Sequence, residues 1–185
     1  MSPGALAGTK VLEYGRLVAA PYAAKLLADM GAEVIKIEDP EGDPARRREP
    51  FLRDDPHPER SGLFLYVNTN KYGVTLNLRT VTGQKLLADL VRWADVLIED
   101  TPPRLTDELG LGYKKLKAVN PQVIVCSITP FGRVGPHKDY KGYHLNMFHA
   151  GGEGFLLPGG VLDRPPVKGP GLLADYDAGI AAATA

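Results

Sequence analysis

The sequence predicts an α/β fold, a parallel sheet with helices packed against it. Three observations carry that expectation. Short apolar runs alternate with longer amphipathic ones over most of the chain, the pattern of strands and helices taken in turn. The first three runs close a β-α-β unit by residue 38, and such units are right-handed and build parallel sheets. The 185 residues, 44% hydrophobic and 24% charged, suit one domain with its own core, so residues 1–185 read as a single unit.

In chain order, "TKVLEYG" predicts a buried strand over 11–14. "APYAAKLLADMGA" predicts a helix in which Pro21 suits the first turn, Leu26, Leu27 and Met30 share one side, and Gly31 is the stop. "EVIKIE" predicts a strand over 34–37. Residues 39–62, dense in proline and charge, predict a long loop rather than a core element, and loops of that length in a compact domain are usually functional or mobile. "VTLNL" alternates Val74, Leu76 and Leu78 inward against Thr75 and Asn77. "GQKLLADLVRWA" predicts a helix with Leu86, Leu87, Leu90, Val91 and Ala94 on one face. "DVLIE" reads as a strand, "LTDELGLGYKKLKAVN" as helix broken at Gly110 and Gly112, and "QVIVCSIT" as a further strand. From Pro130 to about Gly171 the chain is rich in Gly and Pro, and it closes on a helix-prone run that follows Asp175 and Asp177.

Lys plus Arg (22) balance Asp plus Glu (22), which argues against a general nucleic-acid or membrane-surface binder. No apolar stretch is long enough to span a bilayer, and the first residues lack the basic-then-apolar pattern of a secretion signal; the cytoplasm is the expected compartment. The single cysteine, Cys126 in "VIVCSI", allows no internal disulfide and reads as a buried, inert thiol. None of the four histidines has the spacing of a zinc site, so no metal is expected. Glu38 ends the second strand where a ribose-binding acid would lie in a dinucleotide fold. The first turn, "YGRLVAAP", has only Gly15 and lacks the glycine fingerprint, which argues against a nicotinamide enzyme.

Two features admit both a bland and a chemical reading. The "ARRR" run at 45–48 is either a solvated loop or a phosphate contact through guanidinium groups such as that of Arg46. Asp175 and Asp177 either cap the last helix or present a carboxylate nucleophile held ionised at a helix terminus, and one residue can do both.

The stretches "KVLEYGRLVAAPYAAKLLADMGAEVIKIEDPEGDPAR", "NTNKYGVTLNLRTVTGQKLLADLVRWADVLIED", "LGLGYKKLKAVNPQVIVCSITPFGRVGP" and "GLLADYDAG" occur in the order and spacing of a known group. From about Ala7 to Ala185 the chain resembles the N-terminal half of a family III CoA transferase, the family of formyl-CoA transferase, the carnitine-type CoA transferases and α-methylacyl-CoA racemase. The resemblance implies the Rossmann-like, CoA-binding portion of a large domain. It also implies that Asp175, in the "AD" step, is the nucleophile: its carboxylate attacks an acyl-CoA thioester, and the reaction passes through an acyl–aspartyl anhydride and an aspartyl-CoA thioester before an acceptor carboxylate takes the CoA onward. Asp177 matches no family nucleophile and is left as a first-turn charge.

Coenzyme A is thereby implied as substrate and product, with an acyl-CoA and a small carboxylic acid as partners. Leu17, Leu76 and Lys141 fall where the family lines the CoA site. Asp100 stands where many members have Asn in an "ENF" motif, and Asp39 where some have Arg; both put acid near a polyanion, which Arg46 or Arg104 would have to offset. Tyr143 matches a Tyr near the acyl group in formyl-CoA-transferase-like members, whereas the racemases have a His there. His144 follows one place later, and because neighbouring residues point different ways it is expected to be a poor substitute, which favours transferase over racemase. The "LLAD" step leans toward the racemases and keeps that activity as the alternative. His149 and Glu153, with His144 in "GYHLNMFHAGGEGFLLPGG", are the expected substrate-specificity residues. Family members continue into a small C-terminal domain with a glycine-rich loop and form interlocked homodimers. This chain is expected to lack that domain, and as it stands either to be an incompetent fragment or to serve as a non-catalytic CoA-binding module.

Overall fold

The structure, a computed structural model, describes residues 4–159 and 163–185. Five parallel strands form one sheet: β1 (Lys10–Tyr14), β2 (Glu33–Glu38), β3 (Lys71–Thr75), β4 (Val96–Glu99) and β5 (Ile124–Ser127), in the order β3-β2-β1-β4-β5. The chain starts in the middle, builds outward to β3, then crosses to the far side of β1. The strand order therefore reverses between β1 and β4, and a crevice beyond the carboxyl ends of those strands is where such sheets take ligands.

Helices α1 (Ala19–Asp29), α2 (Gly62–Val67), α3 (Val81–Trp93) and α4 (Tyr113–Val119) connect the strands, and α5 (His144–Ala150), α6 (Glu153–Leu156) and α7 (Leu173–Thr184) follow β5. Each strand sends alternate residues to opposite faces. Leu12, Ile37 and Leu97 pack under α3 and α4 with Leu87, Val91, Leu111 and Leu116, while Val11, Val34 and Ile98 pack under α1 with Ala20, Ala23, Ala24 and Ala28.

The α/β expectation holds, with corrections to individual elements. Helix α1 buries its alanines, not its leucines: Leu26 and Leu27 are only half-buried and Met30 is exposed. The reason is α7, which lies close along α1; Gly179 sits so near that a Cβ there would be 2.8 Å from the Ala19 carbonyl oxygen. Small side chains are what allow such an approach. In α3 the buried line is Gly83, Leu87 and Val91, continued by Ala94 just past the helix end, with Leu86 exposed. Strand β3 begins earlier than "VTLNL" and ends at Thr75; Leu76 and Leu78 keep the inward alternation in extended chain beyond the paired strand. "LTDELGLGYKKLKAVN" is helical only in its second half, after a 3₁₀ turn at Pro103–Leu105.

The 39–62 segment is more than a solvated loop. Asp43, Ala45 and Ser61 are buried, and the Ser61 hydroxyl donates to the carbonyls of Ala45 and Arg48 while accepting from Phe64 N–H at the start of α2. That helix is too short for periodicity to reveal it. Cys126 is half-buried on β5, and burial pushes its thiol up, consistent with an unreactive side chain.

Candidate active site

The last helix begins three residues earlier than a cap at Asp175 would require. Leu172 precedes it, Leu173 N–H donates to Pro170 O and Asp175 N–H to Leu172 O, so Asp175 is the third helical residue. Its carboxylate lies in the first turn, where unpaired N–H groups and the positive end of the helix favour negative charge. Asp177 lies beyond that turn and is exposed, which corrects its reading as a first-turn charge.

The group facing Asp175 is His144, with Nδ1 3.5 Å from Oδ2. The reason lies in α5. His144 is its first residue and shares a face with Phe148 one turn later, their ring centroids 5.7 Å apart. Phe148 is buried, and Gly169 lies so close that a Cβ there would meet its ring at 2.5 Å. This anchor turns His144 inward toward α7, and its side chain is 10% exposed. Tyr143, still extended before the helix, is 67% exposed. The expectation that His144 would be the poorly placed member of the pair is thus reversed.

Burial pushes the Asp175 carboxyl up from its ordinary range, and the His144 charge beside it pulls it back down. Among the described residues, neither ring nitrogen of His144 nor Oδ2 of Asp175 has an aligned hydrogen-bond partner. Tyr176, next along α7, meets Tyr22 edge-on at 4.8 Å and Tyr66 at 6.3 Å, an aromatic wall beside the carboxylate that the sequence did not reveal.

A cleft of about 230 Å³ opens beyond β4 and β5. It gathers four of the residues singled out by sequence: Asp100, Arg104, Lys141 and Tyr143, together with Lys138 and Asp139. Arg104, Lys138 and Lys141 make no ion pair among the described residues, so the cleft carries uncommitted positive charge suited to phosphate. Asp100 stands at the switch point, its two oxygens accepting from Arg16 N–H at 3.2 and 3.1 Å. Burial pushes its carboxyl up to about 7. Tyr143 lines this cleft and His144 meets Asp175, so the start of α5 joins the two.

The other sequence-singled residues lie elsewhere. Leu17 and Leu76 are half-buried at the ends of β1 and β3, away from the cleft lining. Arg46 forks onto both oxygens of Glu38 and also reaches Glu59, stacked 3.7 Å over Phe64; its charge is committed and does not face the cleft. That pairing also occupies Glu38. His149 packs its ring against Gly154 and Phe148, and Glu153 is exposed at the start of α6. Gly160, the end of the stretch expected to set specificity, lies outside the described residues.

Sequence reasoning missed a buried charge network behind the β1 turn. Glu13 and Lys36 are paired across β1 and β2; Lys36 Nζ reaches Glu13 Oε1 at 2.8 Å and Asp43 Oδ2 at 3.0 Å, and Lys71 Nζ reaches Glu13 Oε2 at 2.7 Å. Asp43 Oδ1 in turn accepts from Leu17 N–H, fixing Leu17 at φ 61°, a left-handed backbone that costs a non-glycine residue about 1–2 kcal/mol. A signal was present: both charged residues occupy the inward register of strands otherwise filled with Val, Leu and Ile. No group of three or more His, Cys, Asp or Glu among the described residues could hold a metal ion, and no helix there is long and apolar enough to cross a membrane.

Residues 6–185 match the family described as CoA-transferase family III. The chain is 38% identical over 178 residues to a succinate–glutarate CoA-transferase of Agrobacterium fabrum, covering 95% of this chain and 44% of that protein. It is 35% identical over 176 residues to a formyl-CoA:oxalate CoA-transferase of Streptomyces avermitilis, covering 95% and 41%. The crystal structure of a CAIB/BAIF family protein from Brucella suis superposes with a TM-score of 0.85 at 37% identity, over 99% of this chain and 48% of that one. The chain thus spans less than half the length of each of these relatives.

Proposed function

Because the chain belongs to CoA-transferase family III, we propose that its protein moves CoA from an acyl-CoA to a carboxylic acid with Asp175 as nucleophile. The observation that carries this is the Asp175 carboxylate itself: partly withdrawn from water, set in the first turn of α7, and facing His144, whose neighbour Tyr143 lines the cleft that holds Arg104, Lys138 and Lys141. Withdrawal from water makes a carboxylate more reactive, while the helix end and His144 offset the cost of keeping it charged.

In this reading the cleft holds the CoA phosphates through Arg104, Lys138 and Lys141. An Asp175 oxygen attacks the thioester carbonyl, the C–S bond breaks, and CoA leaves as thiolate. The thiolate then attacks Cγ of the mixed anhydride and releases the donor acid as carboxylate. The acceptor carboxylate attacks the resulting aspartyl-CoA thioester, and the thiolate finally takes the new acyl group and frees Asp175. Each transfer is made easier by the covalent enzyme intermediate. The reading extends to a small C-terminal domain that completes the site, a homodimer of the full-length protein, and a cytoplasmic setting.

The test is to incubate the intact protein with an acyl-CoA, trap with hydroxylamine or borohydride, and locate the adduct by peptide mass spectrometry. An adduct on Asp175 is expected; absence of one, with transferase activity surviving Asp175→Ala, refutes the reading.

One observation favours a second reading. His144 beside Asp175 forms a pair able to remove and return a proton, as α-methylacyl-CoA racemisation requires. That activity would exchange the substrate α-proton with deuterated water and need no acceptor acid; the transferase would need the acceptor and leave the α-proton in place.

A further inference from the structure

We propose that His144 is a positioning residue for Asp175, holding Oδ2 through Nδ1–H so that Oδ1 is the oxygen that attacks. The inference rests on the reading of Asp175 as nucleophile and adds to it a residue with a defined task.

Three independent features carry it. His144 Nδ1 is 3.5 Å from Asp175 Oδ2. Buried polar atoms are normally satisfied, yet among the described residues both ring nitrogens and this carboxylate oxygen lack a hydrogen-bond partner. The ring is also fixed in place, since Phe148 anchors the same face of α5 and Gly169 closes over Phe148. A buried imidazole held rigidly against a carboxylate without a settled hydrogen bond is set for a contact that tightens when substrate arrives.

Other groups leave the task to His144. On α7, Tyr176 is turned to Tyr22 and Tyr66, and Asp177 is exposed. On α1, Lys25 pairs with Asp29 and lies over Tyr66. On α5, His149 packs on Gly154. His144 lowers the carboxyl that burial raises.

The same hydrogen bond serves the later steps. Once Oδ1 is acylated, Oδ2 is the carbonyl oxygen of the anhydride. When the CoA thiolate attacks Cγ, the S–Cγ bond forms, electron density moves onto Oδ2, and then the Cγ–Oδ1 bond breaks as the donor carboxylate departs. An N–H already on Oδ2 stabilises that developing charge, as it does when the acceptor carboxylate attacks the thioester.

The test compares the intact protein with His144→Leu, which keeps apolar bulk, and His144→Asn, whose amide nitrogen takes the place of Nδ1. In the leucine variant kcat falls about 100-fold with KM for acyl-CoA nearly unchanged, the loss typical of a missing oxyanion donor. The acid limb of its pH profile moves upward, because Asp175 loses the group that lowers it. The asparagine variant recovers kcat to within about tenfold. Equal loss in both variants with no movement of the acid limb means packing alone and overturns the inference, as does an unimpaired leucine variant. A turnover-independent arm follows the carboxyl ¹³C of Asp175 against pH in wild type and His144→Leu. An unmoved titration overturns the pairing even where an Asp175 adduct is trapped. A shifted titration with no adduct overturns the nucleophile reading instead.

Discussion

Replacing Asp100 by Asn is expected to stabilise the protein at pH 8 and to tighten its hold on CoA. Asp100 sits at the switch point between β1 and β4, and burial pushes its carboxyl up to about 7 from an ordinary 3.8. One pKa unit corresponds to about 1.4 kcal/mol, so carrying the charged form at pH 8 costs the folded state up to about 4 kcal/mol. Partial exposure and local relaxation bring the realised figure to about 2 kcal/mol. Because the folded pKa is raised, the folded state binds more protons than the unfolded one between about pH 4 and 7, and stability falls as pH rises through that window. Asn keeps the oxygen that accepts from Arg16 N–H but carries no charge. Urea unfolding at pH 4 and at pH 8 is the assay. The variant should match wild type at the lower pH, exceed it by about 2 kcal/mol at the higher, and lack the part of the slope between them that Asp100 contributes. An Asn variant no more stable than wild type at pH 8 refutes the argument that Asp100 is a strained charge.

Glu13→Gln removes the carboxylate shared by Lys36 and Lys71 and should cost about 3–5 kcal/mol in chemical denaturation, the range for breaking a buried ion pair. Burial pushes Lys71 down to about 8, so the unfolded chain holds more protons above that pH and stability rises from there toward pH 10; in the Gln variant that rise should begin at lower pH. Gly179→Ala puts a Cβ 2.8 Å from the Ala19 carbonyl, and a melting curve should show a loss of about 1–3 kcal/mol from overpacking between α1 and α7. Millimolar CoA should raise the melting temperature in a salt-sensitive way, with the rise largely lost in an Arg104→Ala, Lys141→Ala double variant.

Most of the sheet was legible because β1, β2, β4 and β5 read as short, mostly apolar runs, broken in β1 and β2 only by Glu13 and Lys36. The errors share one physical source, which is that sequence patterns rank side chains while packing selects distances. In α1 the leucines outrank the alanines in hydrophobicity, but the alanines are the side chains that fit against β1, β2 and β4, and Ala19 and Ala23 also stand where Gly179 brings α7 close. In β3 the alternation of Val74, Leu76 and Leu78 is real, yet strand pairing stops at Thr75 because the alternation reports burial and not hydrogen bonding. Glu13 and Lys36 were in view as charges at inward registers, and only the pairing of β1 with β2 shows that they neutralise each other.

The same distinction separates the two parts of the candidate site. The cleft residues Asp100, Arg104, Lys141 and Tyr143 come from stretches whose order along the chain was enough to bring them together. The facing of His144 and Asp175 depends on something no local pattern contains: Phe148 buried beneath Gly169 turns the start of α5, while Gly179 against Ala19 sets where α7 lies. Both anchors act through the packing of the helices, and both depend on a glycine whose replacement would push the helices apart. Conservative changes at Gly169 and Gly179 should therefore separate His144 from Asp175 while leaving the cation-lined cleft intact, so that CoA binding survives where chemistry fails. A site in which binding and nucleophile hang on different parts of the scaffold loses them independently.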